Sequence, residues 1–440
     1  MTEPRLATSY TKHRTNRIFF GWWIVAGGFS LQLLIGSLMI HSFTAYFPLL
    51  QSQFGWSRGV LSGAFALSRA ESGLLGPLQG WLIDKIGPRM MARIGILLFG
   101  IGFIYFSQIN SILDYYIAFL LMAMGSSIAG MLTIATTVVN WFIRRRSVAM
   151  GIAMSGFGIG GLLVPVVAWS LTSFGWRPTS FVSGVIIILI GMPIAQLMRH
   201  RPEPYGQFPD GDSPQEYSQN EEGSQDSDLK DMEKGQAAFD GFTAKEAMKT
   251  QAFWFISIGH SAALITIGAV SLHLVPHIID AVGISITAAS TAVVVMTIFN
   301  IVAQLAGGFL GDMYSKKHLA GWAMIMHAIA LFILANATSM MPVYLFAALH
   351  GTAWGVRGPM MATIRADYFG RSSYATIMGF SSLIVMLGMT FGPLFAGFMS
   401  DIFGGYKIGF IIIAIMTGAS SVFFFFTKEP ALPIRLSETP

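Results

Sequence analysis

Three ionisable side chains within long apolar stretches are the residues of this sequence best suited to do chemistry. Arg357 lies in the run Trp354-Gly-Val-Arg-Gly-Pro359, and Arg69 and Glu71 share a second stretch. A charged side chain surrounded by hydrocarbon is costly, so each of these residues is a functional candidate by default. The planar guanidinium of Arg357 can bind a carboxylate through two parallel hydrogen bonds. The alternative is structural: Arg357 binds backbone carbonyls or an acid such as Glu71.

Arg69 and Glu71 cannot both face the same side of a helix, because a separation of two residues turns the helix by ~200°. Glu71 suits proton coupling if its surroundings favour the protonated form, and a static ion pair is an equally open interpretation. Hydropathy does not fix the rotation of a helix. The sequence therefore leaves open whether Arg69 or Arg357 contacts an anion.

Two histidines, His41 and His273, occupy equivalent positions in the two halves of the sequence. Histidine titrates near neutral pH, which suits substrate binding, proton sensing or an outer gate. The other histidines in apolar stretches are interpreted as packing residues: His260, His277, His327 and His350.

Several chemistries are excluded by what the sequence lacks. It contains no cysteine, so it has no disulfide, thiolate metal site or cysteine nucleophile. Histidines and acids lack the spacing of a metal site, and no glycine-lysine-serine loop for nucleotides is present. The apolar stretches also lack converging nucleophile and base residues. We expect no metal, no cofactor and no enzymatic activity.

The elements that must position these residues are membrane helices. Hydrophobic residues make up 53% of the chain and charged residues 11%, whereas soluble domains carry roughly 25% charged residues. A helix needs ~20 apolar residues to cross the hydrocarbon core. Such stretches lie near 19–49, 59–80, 92–110, 115–141, 148–172, 178–198, 251–279, 286–311, 319–338, 342–364, 374–400 and 405–427. We predict an all-α membrane protein with about twelve transmembrane helices in two pseudo-symmetric six-helix bundles.

The chain divides into five predicted segments. They are an N-terminal tail (1–18), a first bundle (19–198), a linker (199–246), a second bundle (247–428) and a C-terminal tail (429–440). Basic residues are concentrated in the loops on one side, among them Arg144, Arg145, Arg146, Lys316, Lys317, Arg365 and Arg371. Positive loops stay in the cytoplasm. Both tails and the linker are therefore expected to be cytoplasmic.

The linker is rich in Pro, Gln, Glu, Asp and Ser. Such a segment buries too little apolar surface to order itself, so we interpret it as a tether, with regulatory phosphorylation as the alternative. Its last part, Thr243–Thr250, is expected to form a short surface helix before the seventh span.

The two halves repeat one another. Gly308 follows Gly80 by 228 residues (308 − 80), and several further residues recur with the same offset. The matched pairs include Gly55 and Gly283, Ser57 and Ser285, Asp84 and Asp312, and Arg89 and Lys317. A shared spacing that joins turns, breakers and an acidic loop indicates a duplicated membrane bundle.

The segment Gly80-Trp-Leu-Ile-Asp84-Lys-Ile-Gly87-Pro-Arg89 resembles the cytoplasmic signature loop of the major facilitator superfamily. Gly308-Phe-Leu-Gly-Asp312-Met-Tyr-Ser-Lys-Lys317 is a weaker copy, in which Ser315 replaces the second glycine. The resemblance implies that both loops hold the cytoplasmic side shut in one conformation and release it in the other. It also implies that the first, fourth, seventh and tenth helices line a central cavity, so that Arg357 can face a substrate.

Within that superfamily the chain resembles the monocarboxylate and oxalate/formate branch. The stretches that carry this likeness are Gly21-Trp22-Trp23, Phe253-Trp254, Tyr368-Phe-Gly-Arg371 and Gly388-x-x-x-Gly392-Pro393. Relatives in the branch often have an arginine where this chain has Gln304, whereas Asn300 matches the branch pattern. An amide can hydrogen-bond to a carboxylate but cannot neutralise it. The resemblance therefore implies that Asn300 and Gln304 bind substrate, and that either another cation neutralises it or the substrate is not a simple monocarboxylate.

These observations predict a secondary active transporter of a small, monocarboxylate-like organic anion. It would work by alternating access as a proton symporter or as an antiporter. The expected partners are the anion, a proton or counter-solute and the lipid bilayer, without nucleic acid. The expected location is the inner (cytoplasmic) membrane, spanned many times. A multidrug efflux antiporter of the same superfamily is the alternative, and a non-transporting membrane sensor is a remote one.

Overall fold

The computed structural model describes residues 18–213 and 241–433. Within these ranges the side chains of Thr44, Arg58, Ser62, Phe65, Ala66, Arg69 and Ala70 are not described. The N-terminal tail up to residue 17, the middle of the linker (214–240) and the last residues (434–440) lie outside the described part. The described residues fold as α-helices without a β-strand, as predicted.

The first half contains the helices α1 (Phe20–Ile35), α2 (Phe47–Phe54), α3 (Arg58–Leu74), α4 (Gly76–Ile86), α5 (Pro88–Phe106), α6 (Ile112–Ala129), α7 (Met131–Trp141), α8 (Arg146–Gly160), α9 (Val164–Phe174) and α10 (Trp176–Ala195). A π-helical segment, Gly36–His41, continues α1.

The second half contains α11 (Ala244–Ala247), α12 (Gln251–Val282), α13 (Ile286–Met313), α14 (Lys316–Ala335), α15 (Met340–Phe369), α16 (Tyr374–Phe403), α17 (Lys407–Ala419) and α18 (Ser421–Phe426).

Ten helical segments of the described chain are long and apolar enough to cross a membrane. The two remaining predicted spans, α3 with α4 and α15, are those that contain Glu71 and Arg357. These two spans are less apolar than the other ten because they carry charged residues. Charged residues inside a membrane are costly, so these spans are also the ones of greatest functional interest.

The duplicated Gly-x-Ser pair is a helix end followed by a helix start. Gly55 ends α2 with φ 67° and Gly283 ends α12 with φ 75°, a left-handed conformation that favours glycine. Two residues later, Ser57 and Ser285 accept hydrogen bonds from the backbone N–H of the third residue that follows, each over 3.3 Å. The repeat in the sequence therefore fixes the same turn in both halves.

The two halves meet along two helix pairs, α4 with α16 and α8 with α13. Gly80 and Gly308 lie at the crossings. A Cβ atom on Gly80 would lie 2.9 Å from the Cα atom of Thr376, and one on Gly308 would lie 2.8 Å from the carbonyl oxygen of Ser147. The signature glycines therefore allow the backbones of opposite halves to touch.

The linker is more ordered at its ends than the sequence predicts. Asp210 accepts hydrogen bonds from the backbone N–H groups of Ile143, Arg144 and Arg145 over 2.9–3.3 Å. Trp141 donates its indole N–H to the carbonyl oxygen of Arg199 over 2.8 Å. The expectation that the whole linker stays unordered is thus wrong for residues 199–213, because polar contacts replace the missing apolar burial. The predicted short helix is confirmed as α11.

Candidate functional site

Arg357 is buried in α15, with 2% of its surface exposed. Its Nε and Nη1 atoms are buried and have no hydrogen-bond partner among the described residues. The proposed structural alternative, in which Glu71 or a backbone carbonyl binds this guanidinium, is therefore not seen in the described part of the chain. Burying a cation without a partner is costly, so Arg357 is poised to bind an acceptor or a negative charge.

Two histidines that sequence reasoning treated as packing residues form a pair beside Arg357. His327 on α14 and His350 on α15 are fully buried, and their Nδ1 atoms lie 3.1 Å apart. Both Nε2 atoms are buried without a partner in the described structure. Arg357 lies close enough to both rings to act on them electrostatically. A role in packing alone does not account for two buried Nε2 atoms without a hydrogen-bond partner in the described structure.

The sequence-based prediction that Arg365 lies in a basic loop is wrong. Because α15 continues to Phe369, Arg365 lies inside the bundle and is 1% exposed. Its guanidinium donates to the carbonyl oxygen of Met361 over 2.5 Å and to the hydroxyl of Ser381 over 2.7 Å, and it lies 3.5 Å from Nδ1 of His260. Unlike Arg357, Arg365 is held by several hydrogen bonds.

We call these five residues the buried basic cluster: Arg357, Arg365, His260, His327 and His350. All of them are buried except His260, which is half-buried. They come from α12, α14 and α15 of the second half. Among the described residues, no carboxylate forms an ion pair with any of them. The cluster is thus a concentration of basic groups within an apolar bundle, which attracts anions.

Asn300 and Gln304 lie on α13, which packs closely against α15. A Cβ atom on Gly355 would lie 2.8 Å from the backbone nitrogen of Gln304. Arg357 follows Gly355 by two residues and so projects ~160° away from this contact. The structure therefore does not bring Asn300 and Gln304 together with Arg357 by a hydrogen bond. Gln304 instead approaches Gly358, since its Nε2 atom lies 3.5 Å from the Cβ position of that glycine.

Glu71 belongs to a separate polar group in the first half. Its carboxylate accepts hydrogen bonds from Gln79 Nε2 over 3.3 Å and from the Ser72 hydroxyl over 3.1 Å. Gln79 also exchanges hydrogen bonds with Ser127 over 3.0 and 3.1 Å. No described cation lies within ion-pair distance of Glu71. The side chain of Arg69 lies outside the described part, so the predicted ion pair stays a prediction.

His41 and His273 make the same contact in the two halves. His41 Nε2 lies 3.2 Å from the carbonyl oxygen of Phe157 on α8, and His273 Nε2 lies 2.9 Å from that of Pro393 on α16. Each ring also packs against a glycine four residues further along the partner helix, Gly161 or Gly397. The duplication thus extends to side-chain contacts. Neither residue belongs to the buried basic cluster.

The two signature acids bind helix N-termini across the boundary between the halves. Asp84 accepts hydrogen bonds from the backbone N–H groups of Ala375 and Thr376 over 3.3 and 2.8 Å, and from the Thr376 hydroxyl over 2.6 Å. Asp312 accepts them from Ser147 and Val148 over 2.8 and 3.0 Å. A carboxylate at a helix N-terminus satisfies free N–H groups and opposes the helix dipole. Each half therefore caps a helix of the other at the end that we call the signature-loop end.

Other signature residues do not reach across this boundary in the same way. Arg89 donates to the Tyr205 hydroxyl over 3.2 Å, and Lys317 donates to the carbonyl oxygen of Thr427 over 3.0 Å. Gly87 ends α4 with φ 85°. These residues shape the loops, while the two acids make the contacts between halves.

Further ion pairs close the signature-loop end. Asp367 pairs with Arg146 of the first half over 2.7 Å and with Lys316 over 2.6 Å. Arg371 donates to the carbonyl oxygen of Asn140 over 3.1 Å and pairs with Glu203 of the linker over 3.3 Å. In this conformation the halves are joined at that end by charged contacts.

Comparison with known proteins adds an independent line of evidence. The family model of the Major Facilitator Superfamily matches residues 29–275 and 256–440. Monocarboxylate transporter 11 of Mus musculus is 25% identical over 437 residues, which covers 94% of this chain and 88% of that protein. Monocarboxylate transporter 2 of Mesocricetus auratus is 23% identical over 418 residues and covers 92% and 84%.

Solved structures show a similar fold. The human organic anion transporter MFSD10 superposes with a TM-score of 0.69 at 15% identity, covering 92% of this chain and 99% of that one. The E. coli fucose:proton symporter superposes with a TM-score of 0.64 at 16% identity, covering 93% and 97%.

Proposed function

Because the chain belongs to the Major Facilitator Superfamily and is an integral, multi-pass secondary transporter rather than an enzyme, we propose that it carries a small organic anion of the monocarboxylate type. We further propose that it works in a cytoplasmic membrane with both tails and the linker on the cytoplasmic side. The basic loops at the signature-loop end support this orientation.

The observation that carries the proposal is the buried guanidinium of Arg357, whose Nε and Nη1 atoms have no partner among the described residues. A buried cation without a counter-charge is stabilised when an anion binds it, and a carboxylate fits the fork of a guanidinium. The relatives named monocarboxylate transporters support an anionic substrate as well. Five basic groups inside the second half would disfavour the binding of a cationic drug, because like charges repel.

Asn300 and Gln304 are proposed as neutral contacts on the approach to this cation rather than as its direct neighbours. Their helix, α13, lies at the boundary between the halves, where rocking would expose them first. His41 and His273 are proposed to brace α8 with α9, and α16, through their contacts with Phe157 and Pro393. The three-residue 3₁₀ segment after Gly160 and the internal Pro393 make those helices deformable.

The contacts of Asp84 and Asp312 support alternating access as the mechanism. They hold the signature-loop end closed here and must break when that end opens. The energy source is proposed to be a proton or an exchanged solute, and Glu71 is one candidate for the proton site.

The test is counterflow in proteoliposomes with lactate, pyruvate, formate and oxalate, alongside one hydrophobic cation. We expect exchange of at least one anion. Arg357→Gln should raise its apparent Kd about tenfold to a hundredfold, since a hydrogen bond to a charged group is worth about 1.5–3 kcal/mol. Arg357→Lys should lose less, because it keeps the charge. Lys407→Gln removes one exposed positive charge and serves as the control.

Two results would contradict the proposal. Exchange of the cation alone would favour the efflux alternative. An unchanged Kd in correctly folded Arg357→Gln would remove the binding role of this residue.

A further inference from the structure

We propose that the His327–His350 pair is the proton-binding site of the transporter and that bound anion at Arg357 couples its protonation to transport. This inference rests on the proposed function and names its coupling site. It begins from the geometry of the pair, which neither the family resemblance nor the relatives assign.

The pair has one open acceptor. When two neutral imidazoles meet at Nδ1 over 3.1 Å, one ring donates its Nδ1–H and the other accepts it. The donating ring then has a lone pair on Nε2, and the accepting ring has its hydrogen on Nε2. Both Nε2 atoms are buried without a partner among the described residues. A proton can therefore bind at Nε2 of the donating ring, and no other bond has to change.

Arg357 is placed to sense the charge of the pair. His350 and Arg357 are seven residues apart on α15, which puts them on one face, two turns apart. Side chains of a helix lean towards its N-terminus, so the long Arg357 side chain extends back towards His350. Arg357 also acts electrostatically on both rings, in agreement with this direction.

The surrounding groups leave the pair without a counter-charge. The basic group that acts on both rings is Arg357, which itself interacts electrostatically with Arg365 on α15 and His260 on α12. In the described chain, the other ionisable residues of the helices packed against α14 and α15 lie towards helix ends, apart from His273, which contacts Pro393. They are Arg146 on α8, His277 and Asp280 on α12, Asp312 on α13, Tyr374 and Asp401 on α16, and Lys407 on α17. A proton on the empty cluster would thus add a further positive charge beside two guanidinium groups that no described carboxylate neutralises.

An anion removes that obstacle. Once a carboxylate offsets the charge of Arg357, the pair can accept a proton without increasing the net charge of the empty cluster. Anion and proton then favour each other's binding, and by linkage the effect is reciprocal. The two leave together on the opposite side, so the cycle carries one anion and one proton and moves no net charge.

Glu71 is the competing proton site, and the structure favours the histidines. Its carboxylate is already held by Gln79 and Ser72. It lies on α3 of the first half, and no described cation forms an ion pair with it.

The experiment compares two modes of transport in proteoliposomes, with whichever of lactate, pyruvate, formate and oxalate gives the fastest wild-type counterflow as the probe. Uptake driven by an inward pH gradient measures coupling. Counterflow at equal pH on both sides measures folding and anion exchange. The variants are His350→Gln and His327→Gln, with His318→Gln on the exposed start of α14 as the matched histidine control and Glu71→Gln as the rival site.

We expect His350→Gln and His327→Gln to keep counterflow and to lose most gradient-driven uptake, while His318→Gln keeps both modes. Glu71→Gln, at the rival site, should lose less gradient-driven uptake than either pair variant. In wild type, the apparent Kd of the anion should fall about tenfold between pH 8 and pH 6, within the ~5–150-fold range of coupling between sites. This pH dependence should vanish in the pair variants.

The proposal is overturned if both pair variants retain gradient-driven uptake, if Glu71→Gln alone abolishes it, or if the wild type exchanges anions without responding to a pH gradient. Failure of the proposed function looks different. The wild type would then show no anion counterflow at all, before any histidine is changed.

Discussion

Replacing Asp84 with Asn should open the signature-loop end of the molecule. The carboxylate accepts three hydrogen bonds from the first residues of α16. Asn keeps one carbonyl oxygen, loses the charge and turns an N–H₂ group towards backbone donors. The loss of one charge-assisted hydrogen bond and of the helix-dipole interaction together amounts to about 2 kcal/mol. The open conformation should therefore gain roughly 30-fold in relative population.

Asp312→Asn should act in the same way on the other side of the boundary, because Asp312 caps α8 through two backbone N–H groups. The two acids bind different helices, so their effects should add. The double variant should favour opening by about 4 kcal/mol, or roughly a thousandfold.

The chain itself supplies the reporter. It contains no cysteine, and the Ser147 hydroxyl is buried at the boundary without a partner among the described residues. Ser147→Cys is nearly isosteric and leaves the backbone contact with Asp312 in place. When opening is fast, the rate of labelling by a maleimide is proportional to the open population. Arg145→Cys, at an exposed position, reports the intrinsic labelling rate.

The expected labelling rate at position 147 rises about 30-fold in each single variant, with no change at position 145. If the rate at position 147 stays the same in the double variant, the two carboxylates do not hold the halves together. The geometry that they share in the two halves would then only stabilise the helix ends.

Two further predictions concern stability. Gly268→Ala should destabilise the protein by about 1–3 kcal/mol through overpacking, because its Cβ atom would lie 2.7 Å from the carbonyl oxygen of Met389. Thermal unfolding in detergent measures this loss of stability. The control is Gly405→Ala, since a Cβ atom at that position meets nothing within 4 Å. His273→Ala should cost about 1 kcal/mol by removing the hydrogen bond to Pro393, whereas equal melting temperatures for it and His318→Ala would contradict the bracing role.

Sequence reasoning predicted the fold well, because its signals are local. Apolar length gives the spans, and the repeat of Gly55 and Ser57 at Gly283 and Ser285 gives equivalent turns. The resemblance also implied that the two signature loops hold the cytoplasmic side shut through charge and helix-terminus contacts. The structure adds the identity of their partners, the free N–H groups of helices in the opposite half.

The buried basic cluster was only partly predictable. Arg357 stands out because a single charge in an apolar run is visible in sequence. His327 and His350 meet across two helices, and hydropathy gives the depth of a residue but not the face on which it lies. Arg365 was misplaced because the apolar pattern fades one turn before α15 ends. A sequence of this kind therefore predicts how deep in the membrane a residue lies, but not which way its helix is rotated.

The ordered ends of the linker meet at adjoining residues. Glu203 pairs with Arg371, and Gly241 forms a backbone bridge with its neighbour, Gly370. Two described parts of the linker, one on each side of its middle, are therefore attached at the same place at the end of α15. Because the entropy of closing a loop grows only with the logarithm of its length, the number of residues between these two attachments can change at little energetic cost.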